Sequence, residues 1–306
     1  GAGASRLYPS FHPARMSFTI VGLGEVLWDV FPDAERPGGA PANVAYHAQA
    51  VGNRGVVASR VGDDERGTAL CDRLRAHALS TDGIQVDPEH PTGTVQVQID
   101  EGEPAYTIAE NVAWDHLAMD ATFEHLAAEA DAVCFSTLAQ RAAPSRSTIH
   151  AFLDALPPSA LRILDVNLRP PFYDADVLRA SIARADVVKC NEHEWSLLHD
   201  LLGTDDVAEL LFTEQDVRLL CLTHGASGSE LRTPEARVSR KAPTVDASTG
   251  DAVGVGDAFV SVVTHHLLHG TPLDRMLEAA TTYAAYVVTR QGGMPTIPDN
   301  VLKRVA

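Results

Sequence analysis

The stretch Asp251-Ala252-Val253-Gly254-Val255-Gly256-Asp257 places two glycines and two carboxylates at the entrance to a long apolar helical pattern. Glycines let successive backbone N–H groups turn to one side, and the unpaired amides of a first helical turn attract an anion. A carboxylate at Asp257, in that same turn, is electrostatically wasteful beside an anion unless it accepts a proton. Phosphoryl transfer needs this pairing: amides that neutralise charge on the moving group, and a base that orients and deprotonates the attacking hydroxyl. An aspartate that merely caps a helix after a glycine turn has the same local sequence, so the stretch alone leaves both readings open. Other phosphate and metal chemistries find less support. No GxxxxGK[ST] segment occurs, and Gly22-Leu23-Gly24-Glu25 lacks the third glycine of a dinucleotide fingerprint. The histidines are scattered, and His265-His266 has no acid or cysteine at metal-ligand spacing.

The elements that must position these residues alternate along the chain. Short β-branched runs (18–23, 55–60, 131–136, 161–166, 186–190 and 217–223) are interleaved with helical periodicity over 43–51, 67–79, 145–156, 258–268 and 273–289. That rhythm predicts an α/β fold, a doubly wound and mostly parallel sheet sandwiched by helices. The interval 92–110 breaks it by alternating apolar and polar residues around a Glu-Gly turn, as a half-exposed antiparallel hairpin does. Such a hairpin fits no parallel core. It is expected to project from one edge, with 29–39, as a small β lid. Residues 1–16 read as a leader or tag remnant, with Met16 as the natural start, and 17–306 as one domain.

Composition narrows the partners. Of 306 residues, 41 are acidic and 24 basic, and the formal charge of -17 repels nucleic acid and anionic membrane surfaces. No apolar run is long enough to span a bilayer. The four cysteines show no CxxC pairing, and three lie in apolar strand-like runs, which predicts buried free thiols in a reducing cytoplasm. The partners left are small molecules.

Two signatures then resemble one family. Residues 251–259, DAVGVGDAF, are similar to the D-T-x-G-A-G-D signature of the ribokinase-like, or PfkB, carbohydrate kinases, with Ala252 and Val255 replacing the usual Thr and Ala. Residues 38–52, GGAPANVAYHAQAVG, resemble the first signature, a Gly-Gly turn followed by Asn on a helix. The opening VGLGEVLWD, the segment DVNLR (165–169), the N-x-x-E element at Asn191 and Glu194, and the T-x-G-x-x-G turn at Thr223, Gly225 and Gly228 follow in the family's order, and the whole is most similar to the fructokinase branch.

The resemblance implies an ATP-dependent sugar kinase. Asp257 would be the base and the amides of Gly254, Val255 and Gly256 the anion hole. Asp29, Gly38, Gly39, Asn43, Tyr106 and Arg169 would contact the sugar, with Trp28, Phe31 and Trp114 as candidate aromatic walls. Thr223, Gly225 and Gly228 would hold the nucleotide. Asn191 and Glu194 would organise Mg2+ through water, and Asp251, Val253, Gly292 and Thr296 would hold a K+ ion. Keto-deoxy acid kinases of the family clamp their substrate with a Tyr-x-Arg on the lid. Here Tyr106-Thr107-Ile108 stands instead, with no positive charge to meet an acid, so a neutral ketohexose, D-fructose first, is expected. 2-Keto-3-deoxygluconate, other sugars and nucleosides are the alternatives, and a non-catalytic sugar-binding protein a remote one. Family lids pair between subunits, which extends to a homodimer here.

Overall fold

The computed structural model describes residues 17–32, 34–100 and 103–305, with the side chains of 97–100 and 103–106 outside that description. After β1 (Thr19–Leu23) run β2 (Leu27–Val30) and β3 (Glu35–Gly38), then helix α1 (Ala40–Ala50), β4 (Arg54–Gly62), α2 (Glu65–Ala76), β5 (Ile84–Asp87), β6 (Gly93–Asp100) and β7 (Glu103–Ile108). The body continues through α3 (Ala121–Glu129), β8 (Ala132–Ser136), α4 (Ala143–Asp154), β9 (Leu161–Asp165), α5 (Ala175–Ile182), β10 (Val187–Asn191), α6 (Glu192–Leu202) and β11 (Leu219–Thr223). An antiparallel edge pair, β12 (Ser229–Arg232) and β13 (Arg237–Arg240), precedes the helices α7 (Val255–Leu268), α8 (Leu273–Val287) and α9 (Asp299–Val305).

The large sheet has the order β13-β12-β11-β10-β9-β8-β1-β4-β5, parallel from β11 to β5. Its central strands are apolar on both faces because helices cover both, and successive residues enter opposite cores. Val21, Val133, Leu164, Val188 and Leu220 pack with α3 to α6. Their neighbours Ile20, Cys134, Ile163, Val187 and Cys221 pack with α1 and α7 to α9. This is the doubly wound class expected. A second sheet of order β3-β2-β6-β7 stands apart, with β6–β7 antiparallel as the alternation demanded.

Three departures have local causes. Helix α2 begins at Glu65, two residues before the apolar period, because the Asp64 side chain accepts from the Gly67 amide at 2.7 Å. Helix α7 begins at Val255 rather than Ala258, because Gly254 takes φ 72° as its N-cap. The β12–β13 pair was hidden by charge: buried Glu230 is neutralised by Arg232 and Arg237, so the strands do not read as apolar.

Candidate active site

Parallel strands end at one side of the sheet, and that is where the chemistry gathers. Glu25 follows β1, Asp165 ends β9, and Asn191 and Thr223 are register partners at the ends of β10 and β11. Close packing brings α1 to the same edge. A Cβ on Gly22 would strike the Pro41 backbone, so this glycine serves the docking of α1 on β1 rather than a dinucleotide. Gly39 has φ 108°, and a side chain there would press on the Glu25 carbonyl; one on Gly38 would overlap the Asp29 carboxylate. Gly39 is thus a steric necessity, while Gly38 leaves the Asp29 side chain its place.

The two signatures meet across 214 positions: Asn43 Nδ2, on α1, donates to Asp257 Oδ2, in the first turn of α7, at 2.8 Å, both side chains being buried. Asn43 Oδ1 is buried without a protein partner, packed against Gly293. Burial, then the nearby Asp165, pushes the Asp257 carboxyl up to about 6, against the Asn43 hydrogen bond and the charges of Lys189 and Arg169. Asp257 is therefore ionised at neutral pH but close enough to it to exchange a proton. Gly254 has no room for a Cβ, which would lie 2.6 Å from the Gly293 Cα, and a Cβ on Gly256 would sit 2.8 Å from Lys189 Nζ.

That lysine was not among the expected site residues. Lys189 Nζ donates to both Asp165 oxygens, at 3.0 and 2.9 Å, with each side chain 9% exposed, directly behind the Gly254–Gly256 turn. Burial lowers its pKa, yet Asp165 and then Glu194 outweigh this and hold it above the ordinary value. The signal was legible in kind: a lysine inside an apolar strand run is almost always paired when buried.

Asn191 and Glu194 form a capping box for α6: Asn191 Oδ1 accepts from the Glu194 amide and Glu194 Oε2 from the Asn191 amide, each at 2.8 Å. Glu194 Oε1 takes the Leu168 amide at 3.1 Å. Both carboxylate oxygens are thus engaged, and burial followed by Asp165 raises its pKa. No group of three or more His, Cys, Asp or Glu among the described residues could hold a metal directly. The donor set suits a hydrated ion carried on phosphates, reached through water.

Beside the small sheet, burial, against the charges of Arg169 and Arg36 and with Asp251 adding to it, pushes the Asp29 carboxyl up to about 6. Arg169 is exposed and donates to the Leu168 carbonyl, and its charge also reaches Asp257 and Glu25. Glu25 is a second residue the sequence reasoning passed over: 2% exposed, its pKa raised by burial to about 7, it takes the Ala40 amide at the start of α1. The expected absence of positive charge needs correcting, since Arg36 on β3 enters this neighbourhood. The aromatic walls change too. Trp28 and Trp114 are core residues, Trp28 donating to the Arg66 carbonyl and packing toward α2, Trp114 wholly buried beneath Arg141. Phe31 is partly exposed, with the Arg36 guanidinium 5.0 Å above its ring. Tyr106 lies in β7 opposite Val97, and its side chain falls outside the described residues.

Thr223, Gly225 and Gly228 line a cavity of about 560 Å³ that reaches Val255, Gly256 and Phe259 at the mouth of α7. Its walls are mostly apolar, and Val255 and Gly256 extend it to the first turn of α7, a shape suited to a flat heterocycle. Of the four residues expected around a cation, Asp251, Val253 and Gly292 come together. Asp251 Oδ1 accepts from the Val253 amide and Oδ2 from the Gly292 amide, both at 3.0 Å, while the Thr296 carbonyl accepts from Tyr286 at 3.1 Å.

Comparison with known proteins identifies the family. A family model described as pfkB family carbohydrate kinase matches residues 24–300. A putative sugar kinase of Pyrococcus horikoshii is 29% identical, over 93% of this chain and 94% of its own length. Its crystal structure in complex with ATP superposes with a TM-score of 0.83 at 27% identity, covering 94% of this chain and all (100%) of that one. Fructokinase of Klebsiella pneumoniae is 30% identical over 92% of this chain and 97% of its own. A double-mutant fructokinase from Vibrio cholerae O395, in fructose, ADP and potassium ion bound form, gives a TM-score of 0.78 at 25% identity, covering 94% and 97%.

Proposed function

The chain belongs to the pfkB family of carbohydrate kinases, and from that premise we propose that this sugar kinase transfers the γ-phosphate of ATP to the primary hydroxyl of D-fructose. The observation that carries the proposal is the 2.8 Å contact of Asn43 with Asp257, which joins the two signatures and fixes a buried carboxylate in the first turn of α7, next to its glycines. Asp257 steers the hydroxyl and receives its proton. The amides of Gly254, Val255 and Gly256 meet the charge that grows on the transferring group, each donor supplying about 3 kcal/mol, so the turn outweighs the modest basicity of a carboxylate. Asn43 and Asp29 bind sugar hydroxyls across the Gly38-Gly39 turn, and Arg169 approaches the sugar or the phosphoryl group.

ATP takes the cavity beside Thr223, Gly225 and Gly228, as a purine with its phosphates pointing to Gly254 fits that shape. Magnesium, bound with the nucleotide, supplies neutralisation of the triphosphate, and Asn191 and Glu194 would hold it through its waters. A neutral ketohexose is favoured by the hairpin sequence Tyr106-Thr107-Ile108, which carries no arginine to clamp a sugar acid. Fructokinase relatives point the same way. The lid sheet would cover the sugar and limit ATP hydrolysis. Pairing of two lids in a homodimer, and work in the cytoplasm where Cys134, Cys190 and Cys221 stay reduced, belong to the same reading.

An ADP-release screen over D-fructose, ribose, 2-keto-3-deoxygluconate and nucleosides tests it. D-Fructose should give the highest kcat/KM; preference for a sugar acid or nucleoside would displace fructose, and no acceptor-dependent ADP would overturn the kinase reading. Asp29→Ala should raise the sugar KM about 10- to 100-fold, the value of one or two hydrogen bonds to a charged acceptor, and leave the ATP KM in place. An unchanged sugar KM would put the pocket elsewhere.

A further inference from the structure

We propose that Arg141 is a positioning residue for the sugar, tying the turn that aims Arg169 to both roots of the β6–β7 hairpin. The proposal rests on the sugar-kinase reading above, in which Arg169 approaches the acceptor, and concerns what holds that arginine in place.

Arg141 lies just past the carboxyl end of β8, on the side of the sheet where the site gathers. Its side chain is 6% exposed and that of Asp115 4%, and its Nε and Nη2 donate to Asp115 Oδ1 and Oδ2, each at 2.8 Å. A guanidinium so deeply buried needs a matched carboxylate, and the two-pronged contact also fixes its plane. That plane serves three other segments. Nη2 donates to the Ala109 carbonyl, one residue past the end of β7. The guanidinium carbon lies 4.0 Å from the centre of the Trp114 ring and 4.6 Å from that of Phe172. Trp114 in turn backs the entrance of the hairpin, since a Cβ on Gly93, the first residue of β6, would collide with its Nε1. Both roots of the hairpin are therefore built on one cluster.

Phe172 carries the link to the sugar side. Its amide donates to the Arg169 carbonyl at 2.7 Å and closes the turn 169–172. Among the described residues the Arg169 side chain donates only to the Leu168 carbonyl beside it, so its aim is set by this turn rather than by an ion pair. Its charge reaches Asp29, Glu25 and Asp257 together, which places it between the sugar carboxylate and the base. A misplacement of about 1 Å in such a group can cost up to about 100-fold. The residues of the Arg141 cluster do not line the nucleotide cavity. Loss of the cluster should therefore be felt by the sugar and not by ATP.

Phe172→Ala removes the ring between Arg141 and the turn and leaves the Arg141–Asp115 pair in place. With the acceptor found in the screen it should raise the acceptor KM about 3- to 10-fold, the usual weight of a cation–π contact, and leave the ATP KM within about twofold. Phe172→Tyr keeps the ring and should restore the wild-type values. Arg141→Lys keeps a charge beside Asp115 but loses the fork and the flat stacking surface, and should raise the same KM. The double variant should rise no further than the worse single one, because both act through one contact. A role confined to stability would lower the melting temperature and the fraction of active enzyme while leaving the acceptor KM alone; that result, or additive rises, would overturn the proposal. Amide hydrogen exchange reads the same link without substrate. The Ala109 amide donates to the Thr94 carbonyl at 2.9 Å, and Phe172→Ala should speed its exchange severalfold by loosening Arg141. Arg141→Lys should speed exchange at both 109 and 172. Unchanged exchange at Ala109 in Phe172→Ala would equally sink the proposal. If no acceptor turns over, the kinase reading fails, and the exchange arm still decides whether Arg141 joins the turn to the hairpin.

Discussion

Asp257→Asn is expected to lower kcat about 10²- to 10⁴-fold, the usual weight of a positioned base, with ATP affinity little changed. The substitution keeps size and shape. The new amide can turn its oxygen to Asn43 Nδ2 and preserve the 2.8 Å contact, so a large loss would report lost proton acceptance rather than a collapsed site. The pH profile sharpens the test. Burial and Asp165 place the Asp257 pKa near 6, and a base works in its ionised form, so wild-type kcat should fall as pH drops through about 6. The acidic limb should flatten in Asp257→Asn, because the group that titrates is gone. Turnover within a few-fold of wild type would refute the assignment, and a limb that survives unchanged would mean another group titrates.

How much of this was readable before the fold is clear from particular residues. The parallel strands were legible because burial on both faces leaves uninterrupted apolar runs, as in Thr19–Leu23 and Leu219–Thr223. The small sheet was legible because one exposed face enforces alternation. Gly254, Gly256 and Asp257 could be singled out because a glycine turn at a helix start has few uses. What sequence order could not convey was convergence. Lys189 sits inside an apolar strand, and nothing local says that its head reaches Asp165 and lies against Gly256. Arg36 lies in the expected 29–39 segment but was not singled out, because its partner Asp251 is 215 positions away. Glu25 was read as part of a failed glycine motif, although its carboxylate serves the helix that carries Asn43. Trp28 and Trp114 show the opposite error, since large aromatics near a site usually fill the core behind it.

Lys189→Met should be the most damaging change outside the groups that touch substrate, and its effect should divide into two measurable parts. The ammonium is the buried cation nearest three carboxylates, Asp165, Glu194 and Asp257, all of which feel its charge or are felt by it. Removing one partner of a buried pair leaves the other uncompensated, which costs about 3–5 kcal/mol of stability by denaturant unfolding. The second part is chemical. Without the lysine the unpaired Asp165 raises the Asp257 pKa further, so the acidic limb of kcat should move above pH 6 and the deficit at pH 7 should shrink toward pH 9. A role confined to packing would lower activity without moving the limb. The double variant Asp165→Asn/Lys189→Met separates the two accounts, because it removes one positive and one negative charge together. It should bring the limb back toward pH 6 and recover most of the lost stability, since a buried ion pair contributes little net when both partners go. A limb that stays at pH 6 in Lys189→Met would show that the field behind the anion hole does not govern the base.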